Sequence, residues 1–460
     1  MKTNILTLTD SYKFSHYLQY PQGTERVFSY FESRKGAKWD NTVFFGLQYF
    51  LKEYLQGHVV TLEKIQEAKA LCDAHIAPGV FNEKGWLRLL EKHHGVLPVE
   101  IRAVREGTPV PVSNVLMTIE NTDDEFYWLP NYLETLLVQV WYPSTVATQS
   151  REMKKIIHSY LELTGDPAGI NFKLHDFGFR GVSSVESAGL GGAAHLVNFM
   201  GTDTVRGLEV ARDYYKAGIC GFSIPASEHS TITSWGRNGE IDAMRNMLDK
   251  YPTGLVACVS DSWDIYRACS EYWGKELKEK VLAREGCLVV RPDSGEPTEI
   301  VPQVLRLLGA AFGEEKNAKG YKVLNPKVRI IQGDGIDFLT IDGILNAVKK
   351  AGYSADNIAF GSGGGLLQKV NRDTQRFAFK CSAVKVNGEW RGVFKHPATD
   401  STKASKEGRL TLLRDKDGFH TIGGLADPYR GDDDALRQVF NCGQIMTESG
   451  FKEIRNHAAL

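Results

Sequence analysis

Asn357-Ile358-Ala359-Phe360-Gly361-Ser362-Gly363-Gly364-Gly365-Leu366-Leu367-Gln368 is the stretch whose reading decides the fold. A short apolar run ends in a turn with four glycines in five positions, and residues with helical spacing follow. Such a pattern reads as strand, turn and helix. Glycine lets backbone N–H groups turn inward without a Cβ in the way, so this turn is a candidate phosphate cradle. No Gly-Lys-Ser/Thr follows it, and the spacing is not that of a dinucleotide fingerprint.

The same pattern recurs upstream. Apolar runs at Phe172–Phe177, Leu196–Met200, Gly221–Ile224, Leu255–Val259, Cys287–Val290 and Val328–Ile331 each end in Gly, Asp, Ser or His. Successive clusters lie ~25 to 40 residues apart, the length of a βα unit. Seven such units predict an irregular parallel α/β barrel, in which the strand C-termini converge on one face. A doubly wound open sheet is the competing architecture, but it concentrates chemistry at a single switch point.

Before this region, Val27–Glu32 alternates like a half-buried strand and Gln48–Leu55 has helical spacing. Pro98–Glu120 reads as strands and turns, and Asp124–Trp141 as a buried helix. After residue 385, Glu389–Phe394 reads as strand again. A chain of 460 residues exceeds one domain. The expected organisation is an α+β domain over 1–150, made discontinuous by 385–460, with the barrel over 151–384.

Composition narrows the function. With 42% apolar and 24% charged residues the chain is globular. Its 55 basic and 56 acidic residues leave a net charge of -1, which disfavours a nucleic-acid partner. Mean hydropathy is -0.28, and no apolar run reaches the ~20 residues of a membrane span. Nor does the N-terminus carry the apolar core of a signal peptide, so a soluble, cytoplasmic protein without a membrane partner is expected. The seven cysteines are scattered without a C-x-x-C pair, and read as buried reduced thiols. The twelve histidines show no zinc spacing.

Several strand ends carry candidate chemistry. Gln332-Gly333-Asp334-Gly335 and Arg291-Pro292-Asp293-Ser294-Gly295 place carboxylates in turns, where they suit ribose hydroxyls or Mg²⁺-bound water. His229 in Ser227-Glu228-His229-Ser230-Thr231 could be acid, base, nucleophile or structural. Asp203 in Gly201-Thr202-Asp203 accepts hydrogen bonds when ionised, selecting N–H donors and repelling a carboxylate. Phe177 and Arg180 together suit a flat ring carrying a phosphorylated sugar, or equally a core ring and a surface cation. Ser183–Glu186 reads as a capping box.

These blocks, in this order, resemble the nicotinamide phosphoribosyltransferase family of type II phosphoribosyltransferases. The resemblance starts at Thr9-Asp10-Ser11-Tyr12-Lys13 and reaches the C-terminal region. It is most specific in His175–Arg180, Asn198–Thr204, Glu228–Thr231, Val259–Asp264, Arg291–Gly295, Gln332–Gly335 and Ile358–Lys369. It implies transfer of phosphoribose from phosphoribosyl pyrophosphate to nicotinamide, giving nicotinamide mononucleotide and pyrophosphate in NAD salvage. A Mg²⁺-dependent homodimer is implied, with ATP hydrolysis coupled through a phosphohistidine at His229.

On that resemblance, Phe177 stacks on the pyridine ring, with Tyr12 of a second subunit on its other face. Asp203 accepts the carboxamide N–H, Arg291 lies near base and sugar, and Asp293 binds the ribose hydroxyls. Arg180 reaches the phosphoribosyl group across the dimer. Gly333, Asp334, Gly363 and Gly364 cradle the 5′-phosphate, with Arg372 extending the basic surface. Arg34, Lys395 and Lys403 resemble pyrophosphate-side residues. Asp261 is placed to orient His229, beside Glu228. Which residues would ligate the Mg²⁺ stays open at this point.

Two features depart from the pattern: Ala378 replaces a phosphate-side serine, and Arg34-Lys35-Gly36-Ala37-Lys38 is shorter than in vertebrate relatives. Nicotinate phosphoribosyltransferase, and a non-catalytic binding or signalling protein on the same fold, are the alternative readings.

Overall fold

A computed structural model describes residues 3–395 and 405–460 of the protein. The chain forms two compact units. One takes the chain through Thr148, with Val210–Ala217 and Val370–Ala459; the other takes Gln149–Glu209 and Gly218–Lys369.

The first unit is built on a seven-stranded antiparallel sheet. Its order is Glu389–Gly392, Phe377–Val386, Thr24–Ser33, Val115–Asn121, Val99–Val104, Leu436–Asn441 and Gln444–Ile445. Phe377–Val386 pairs with Thr24–Ser33 along its whole length, so the chain returns to this unit at Val370 rather than at 385. Alternation in Val27–Glu32 suggests one solvated face, but every residue from Val27 to Ser33 is buried. The polar positions are satisfied instead of solvated. Ser29 Oγ donates to Asn131 Oδ1 at 2.7 Å, Ser33 Oγ donates to the Gln375 carbonyl at 2.6 Å, and Glu32 pairs with Lys406.

Asp124–Trp141 is not one helix. It breaks into turns at Asp124–Phe126, Leu129–Tyr132, Glu134–Leu137 and Val138–Val140, before the long helix Trp141–Thr164. Pro130 has no N–H to continue an earlier turn, so it sits in the first turn of a new one.

Glu106 is a buried carboxyl in this unit. Its oxygens accept from the Gly46 and Gln48 N–H groups at 2.9 and 2.7 Å, at the start of helix Leu47–Phe50. Burial pushes the carboxyl up to about 7, outweighing those two hydrogen bonds. Its folded value therefore lies above the unfolded one, ~4.3. The associated stability is full at pH 4 and is lost as pH rises toward 7. The stability of the wild type relative to Glu106→Gln is expected to fall by ~3 kcal/mol over that window, measured by denaturant titration at each pH.

The second unit holds six parallel strands: β1 (Leu174–Asp176), β2 (Gly201–Thr202), β3 (Thr253–Val259), β4 (Glu285–Arg291), β5 (Val328–Gln332) and β6 (Ile358–Ser362). Their order is β2-β1-β6-β5-β4-β3, and the sheet is curled. The Gly221–His229 run, expected as a seventh strand, makes only isolated bridges. Phe222 meets Gly201 at one sheet edge and Ala226 meets Ala257 at the other, closing an irregular parallel α/β barrel. Pro225 lacks the N–H a continuous ladder needs, although its carbonyl accepts from Ala257 at 2.9 Å. Ala257, Cys287, Val289 and Ile331 form one core cluster of the sheet, with Phe177, Ile224 and Ala359 packed against it.

Helices Val185–Leu196, Pro297–Phe312 and Phe338–Lys350 follow β1, β4 and β5. In the first, the capping box pairs Ser184 with Ser187, because Glu186 falls one position short of the site that reaches back. Five cysteines are buried, Cys381 is half-buried and Cys442 is exposed, all as free thiols. Burial pushes the Cys258 and Cys269 thiols up to about 12, which keeps them unreactive. Among the described residues no helix is long and apolar enough to cross a membrane.

Candidate active site

Parallel strands send all their C-terminal turns to one end, and six turns meet there. Five of them, those after β1, β2, β4, β5 and β6, wall a cavity of about 600 Å³ lined by Phe177, Arg180, Asp203, Arg291, Asp293, Gly333, Asp334, Gly363 and Gly364 among others. Residues far apart in the chain are thus close in space. A Cβ built on Gly333, after β5, would lie 3.1 Å from Asp293 Oδ1, 3.6 Å from the Phe177 ring and 3.9 Å from Arg291 Nε.

The turn after β1 presents Phe177. Its N–H donates to the Ser362 carbonyl at 2.9 Å, and the next N–H, on Gly178, donates to Asp176 Oδ1 at 2.7 Å. Asp176 is buried, which pushes its carboxyl up to about 6 even though the Gly178 N–H opposes the shift. Asp203 follows β2; its N–H donates to the Asp176 carbonyl at 2.9 Å, and one carboxylate oxygen accepts from the Ser223 hydroxyl.

β3 and β4 supply a second linked group. Asp261, with a side chain only 2% exposed, accepts from two directions: Oδ1 lies 3.0 Å from His229 Nε2, and Oδ2 accepts from the Asp293 N–H at 3.0 Å. Asp293 Oδ2 in turn accepts from Arg291 Nη2 at 2.9 Å and lies 4.0 Å from His229 Nδ1. An ionised carboxylate only accepts, so the Asp261 bond puts the proton of a neutral His229 on Nε2 and leaves the lone pair on Nδ1. Glu228, His229 and Asp261 are not among the residues lining the cavity, which the group reaches through Asp293 and Arg291. Glu228 is bonded within its own turn. It precedes the helix His229–Thr233, where its N–H donates to Thr231 Oγ1 at 3.2 Å and its carboxylate accepts from Ser230.

The glycine turns are held rigidly. Ser362 Oγ donates to the Ile336 carbonyl at 2.7 Å, and Gln332 Nε2 donates to the Asp334 carbonyl at 3.1 Å. Gly361 and Gly365 are required by close packing, against the Phe177 ring and the Ile336 carbonyl. Gly364 has open space where a side chain would stand, so its backbone is free to face a ligand.

A second cavity of about 510 Å³, mostly apolar, is lined by Phe172, Phe222, Ile224, Val289 and Ile331, together with His175 and Ser223. Burial lowers the affinity of His175 for a proton. Lys173 lines the same cavity; burial brings its amine down to about 8, and it donates to the carbonyls of Ala355, Asp356 and Ile358.

Tyr12, Arg34, Arg372 and Lys395 belong to the other unit, while Lys403 lies outside the described residues. Tyr12 is exposed on the 3₁₀ helix Ser11–Leu18, Arg34 Nε donates to the Arg376 carbonyl at 3.2 Å, and Arg372 is exposed beside Asp373. Ala378 is buried on its strand opposite Glu32. The sequence reading missed Lys380 on that strand. Burial holds its amine below the usual lysine range; Glu134 opposes this, and the neighbouring charges of Lys395, Arg34 and Lys13 add to it. Lys13 is itself paired with Glu134 at 2.5 Å, and the charges of Lys380, Arg34 and Lys395 favour an anion there. The available signal was a lysine inside the apolar run Phe377-Ala378-Phe379-Lys380-Cys381.

Among the described residues no cluster of three or more His, Cys, Asp or Glu forms a metal cage. Asp293 and Asp334 are the separate carboxylates of the cavity that could hold a divalent cation.

Residues 172–444 match the model of the nicotinate phosphoribosyltransferase (NAPRTase) family, and residues 4–101 match the nicotinamide phosphoribosyltransferase N-terminal domain. The chain is 55% identical to a nicotinamide phosphoribosyltransferase of Xanthomonas campestris pv. campestris, covering 99% of this chain and 98% of the relative. It is 35% identical to one of Acinetobacter baylyi, covering 100% and 97%. Among solved structures it resembles a nicotinate-nucleotide pyrophosphorylase from Pyrococcus furiosus, with TM-score 0.62, 18% identity and coverage of 99% and 95%. Human nicotinic acid phosphoribosyltransferase gives TM-score 0.59 at 16% identity, covering 98% and 92%. At such identities these two likenesses show the fold alone.

Proposed function

Because the chain belongs to the nicotinate phosphoribosyltransferase (NAPRTase) family and to its nicotinamide phosphoribosyltransferase members, we propose that it makes nicotinamide mononucleotide for NAD salvage. The pyridine nitrogen attacks C1 of phosphoribosyl pyrophosphate, an N–C1 bond forms, and the C1–O bond to pyrophosphate breaks. Phe177 carries the pyridine ring, Asp203 accepts the carboxamide N–H, and Asp293 and Arg291 hold the ribose side. Gly333, Asp334, Gly363 and Gly364 bind the 5′-phosphate. Positioning of the base behind C1 and neutralisation of the leaving group supply most of the rate enhancement.

The basic residues Arg34, Lys380 and Lys395 suit the pyrophosphate, a role the resemblance also gives to Lys403, while Arg372 adds positive charge on the 5′-phosphate side. Mg²⁺ bound with the substrate neutralises part of that charge. A homodimer brings Tyr12 of a second copy to the other face of the base. ATP phosphorylates His229 at Nδ1, and hydrolysis of that phosphohistidine drives synthesis; Asp261 fixes the ring for this step.

The observation carrying the substrate assignment is Asp203 at the wall of the cavity that Phe177 also lines. A carboxylate there attracts an amide N–H and repels nicotinate. With equal concentrations of the two bases, the wild type is expected to form nicotinamide mononucleotide. Asp203→Ala is expected to lose ~10–50-fold in kcat/KM for nicotinamide while gaining on nicotinate, as chromatography of the products reads out. Preferential formation of the nicotinate product by the wild type overturns the assignment. Absence of either product with Mg²⁺ and ATP favours the binding-protein alternative.

A further inference from the structure

We propose that Ser223 is a specificity-determining positioning residue, which holds Asp203 so that the free carboxylate oxygen of Asp203 accepts from the substrate's primary carboxamide. This rests on the reading of Asp203 as the amide acceptor and extends it to a residue outside the cavity wall.

Ser223 Oγ donates to Asp203 Oδ1. Its backbone is fixed independently of that bond. On one side the Phe222 N–H donates to the Met200 carbonyl at 2.7 Å, and the Thr202 N–H donates to the Phe222 carbonyl at 3.0 Å. On the other, the Ser227 N–H donates to the Ala257 carbonyl at 3.0 Å, and Val259 N–H donates to Ser227 Oγ at 2.9 Å. Gly221 lies so close to Leu196, Leu208 and Thr202 that a Cβ there would fall within 3 Å of each. The segment is therefore a pinned bridge across the gap in the barrel. Asp203, on the short turn after β2, is the partner that gains orientation.

The chemistry follows from the proton count. A serine hydroxyl carries one hydrogen, and here it is committed to Asp203. What remains is the second carboxylate oxygen of Asp203, which is an acceptor only. A primary carboxamide brings two N–H donors; a carboxylate brings none. No cation is bonded to Asp203 among the described residues: Arg291 is committed to Asp293, and His175 is disfavoured as a cation by its burial. The negative charge thus stays available to reject an acid substrate. Ser223 also lines the second, apolar cavity, so this hydrogen bond joins the walls of the two cavities.

The test uses the full-length protein as wild type, Ser223→Ala, Ser223→Thr, Asp203→Ala and the double alanine variant. Nicotinamide affinity is measured by titration calorimetry, alongside kcat and the KM of each substrate. Ser223→Ala is expected to weaken nicotinamide about 5-fold in Kd and KM, the scale of one hydrogen bond. Its kcat, its KM for phosphoribosyl pyrophosphate and its melting temperature stay at wild-type values, and Ser223→Thr, which keeps the hydroxyl, restores affinity. The double variant binds no worse than Asp203→Ala alone. If Asp203→Ala weakens nicotinamide but Ser223→Ala does not, or the two losses add, Ser223 has no such role and the reading of Asp203 stands. If Asp203→Ala leaves nicotinamide binding intact, both fall together.

Discussion

Gly361→Ala removes at least ~10²-fold of kcat/KM for nicotinamide while the protein stays folded. A Cβ on this residue of β6 would fall inside the Phe177 ring, closer than atoms can approach. The strand is a buried interior member of the sheet and cannot retreat, so the ring has to swing away from its position at the cavity wall. Loss of an aromatic platform costs ~1–3 kcal/mol of stacking, and the displaced ring also obstructs the space the base requires. Overpacking adds a stability loss of ~1–3 kcal/mol, visible in a denaturant titration. The cause is separable: in a Phe177→Ala background the added methyl group has no ring to displace. Gly361→Ala should then reduce kcat/KM little further. A full additional loss in that background would contradict the packing argument.

Asp261→Asn is the second large effect. Asp261 accepts from His229 with one oxygen and from the Asp293 N–H with the other. Asparagine has a single acceptor oxygen and an NH₂ group, so one of those partners meets a donor instead. If the oxygen stays with Asp293, the ring of His229 is driven to the opposite tautomer and Nδ1 loses its lone pair. Wrong-tautomer substitutions in comparable carboxylate–histidine pairs cost up to ~10⁴ in rate. His229 is half exposed here and can reorient, so ~10²–10³ is expected for phosphohistidine formation from ATP, followed with radiolabelled γ-phosphate. ATP-independent transfer should fall less. Equal loss in both reactions would show that Asp261 acts through Asp293 rather than through the histidine.

The barrel was legible because its signal repeats: apolar runs ending in Gly or Asp at regular spacing mark strand ends whatever surrounds them. Gly361–Gly365 and Arg291–Asp293 carried their turn chemistry openly. The Gly221–His229 run misled, since an apolar run and a true strand look alike until Pro225 interrupts the ladder. The buried first-unit strand misled in the opposite direction. Val27–Glu32 reads as half-buried, yet it is buried throughout, and Ser29 and Glu32 are each paired by a residue remote in the chain, which no local pattern encodes.

Among site residues, Asp203 and His229 were visible as polar groups at strand ends. Their partners were harder to see. The resemblance already put Asp261 beside His229, but its second bond, to the Asp293 N–H, and the bond from Ser223 to Asp203 come from tertiary placement; a serine or aspartate in a loop is common in any sequence. Lys380 was hidden by its strand, because the three cations beside it come from other segments of the fold.

A crystal structure with nicotinamide and phosphoribosyl pyrophosphate bound tests the central claim most directly. The account predicts the pyridine ring stacked on Phe177, the carboxamide nitrogen within hydrogen-bonding distance of Asp203, and the 5′-phosphate on the backbone of Gly333 and Gly363. A base seated away from Phe177, or a carboxamide oxygen turned toward Asp203 with its nitrogen elsewhere, would contradict it.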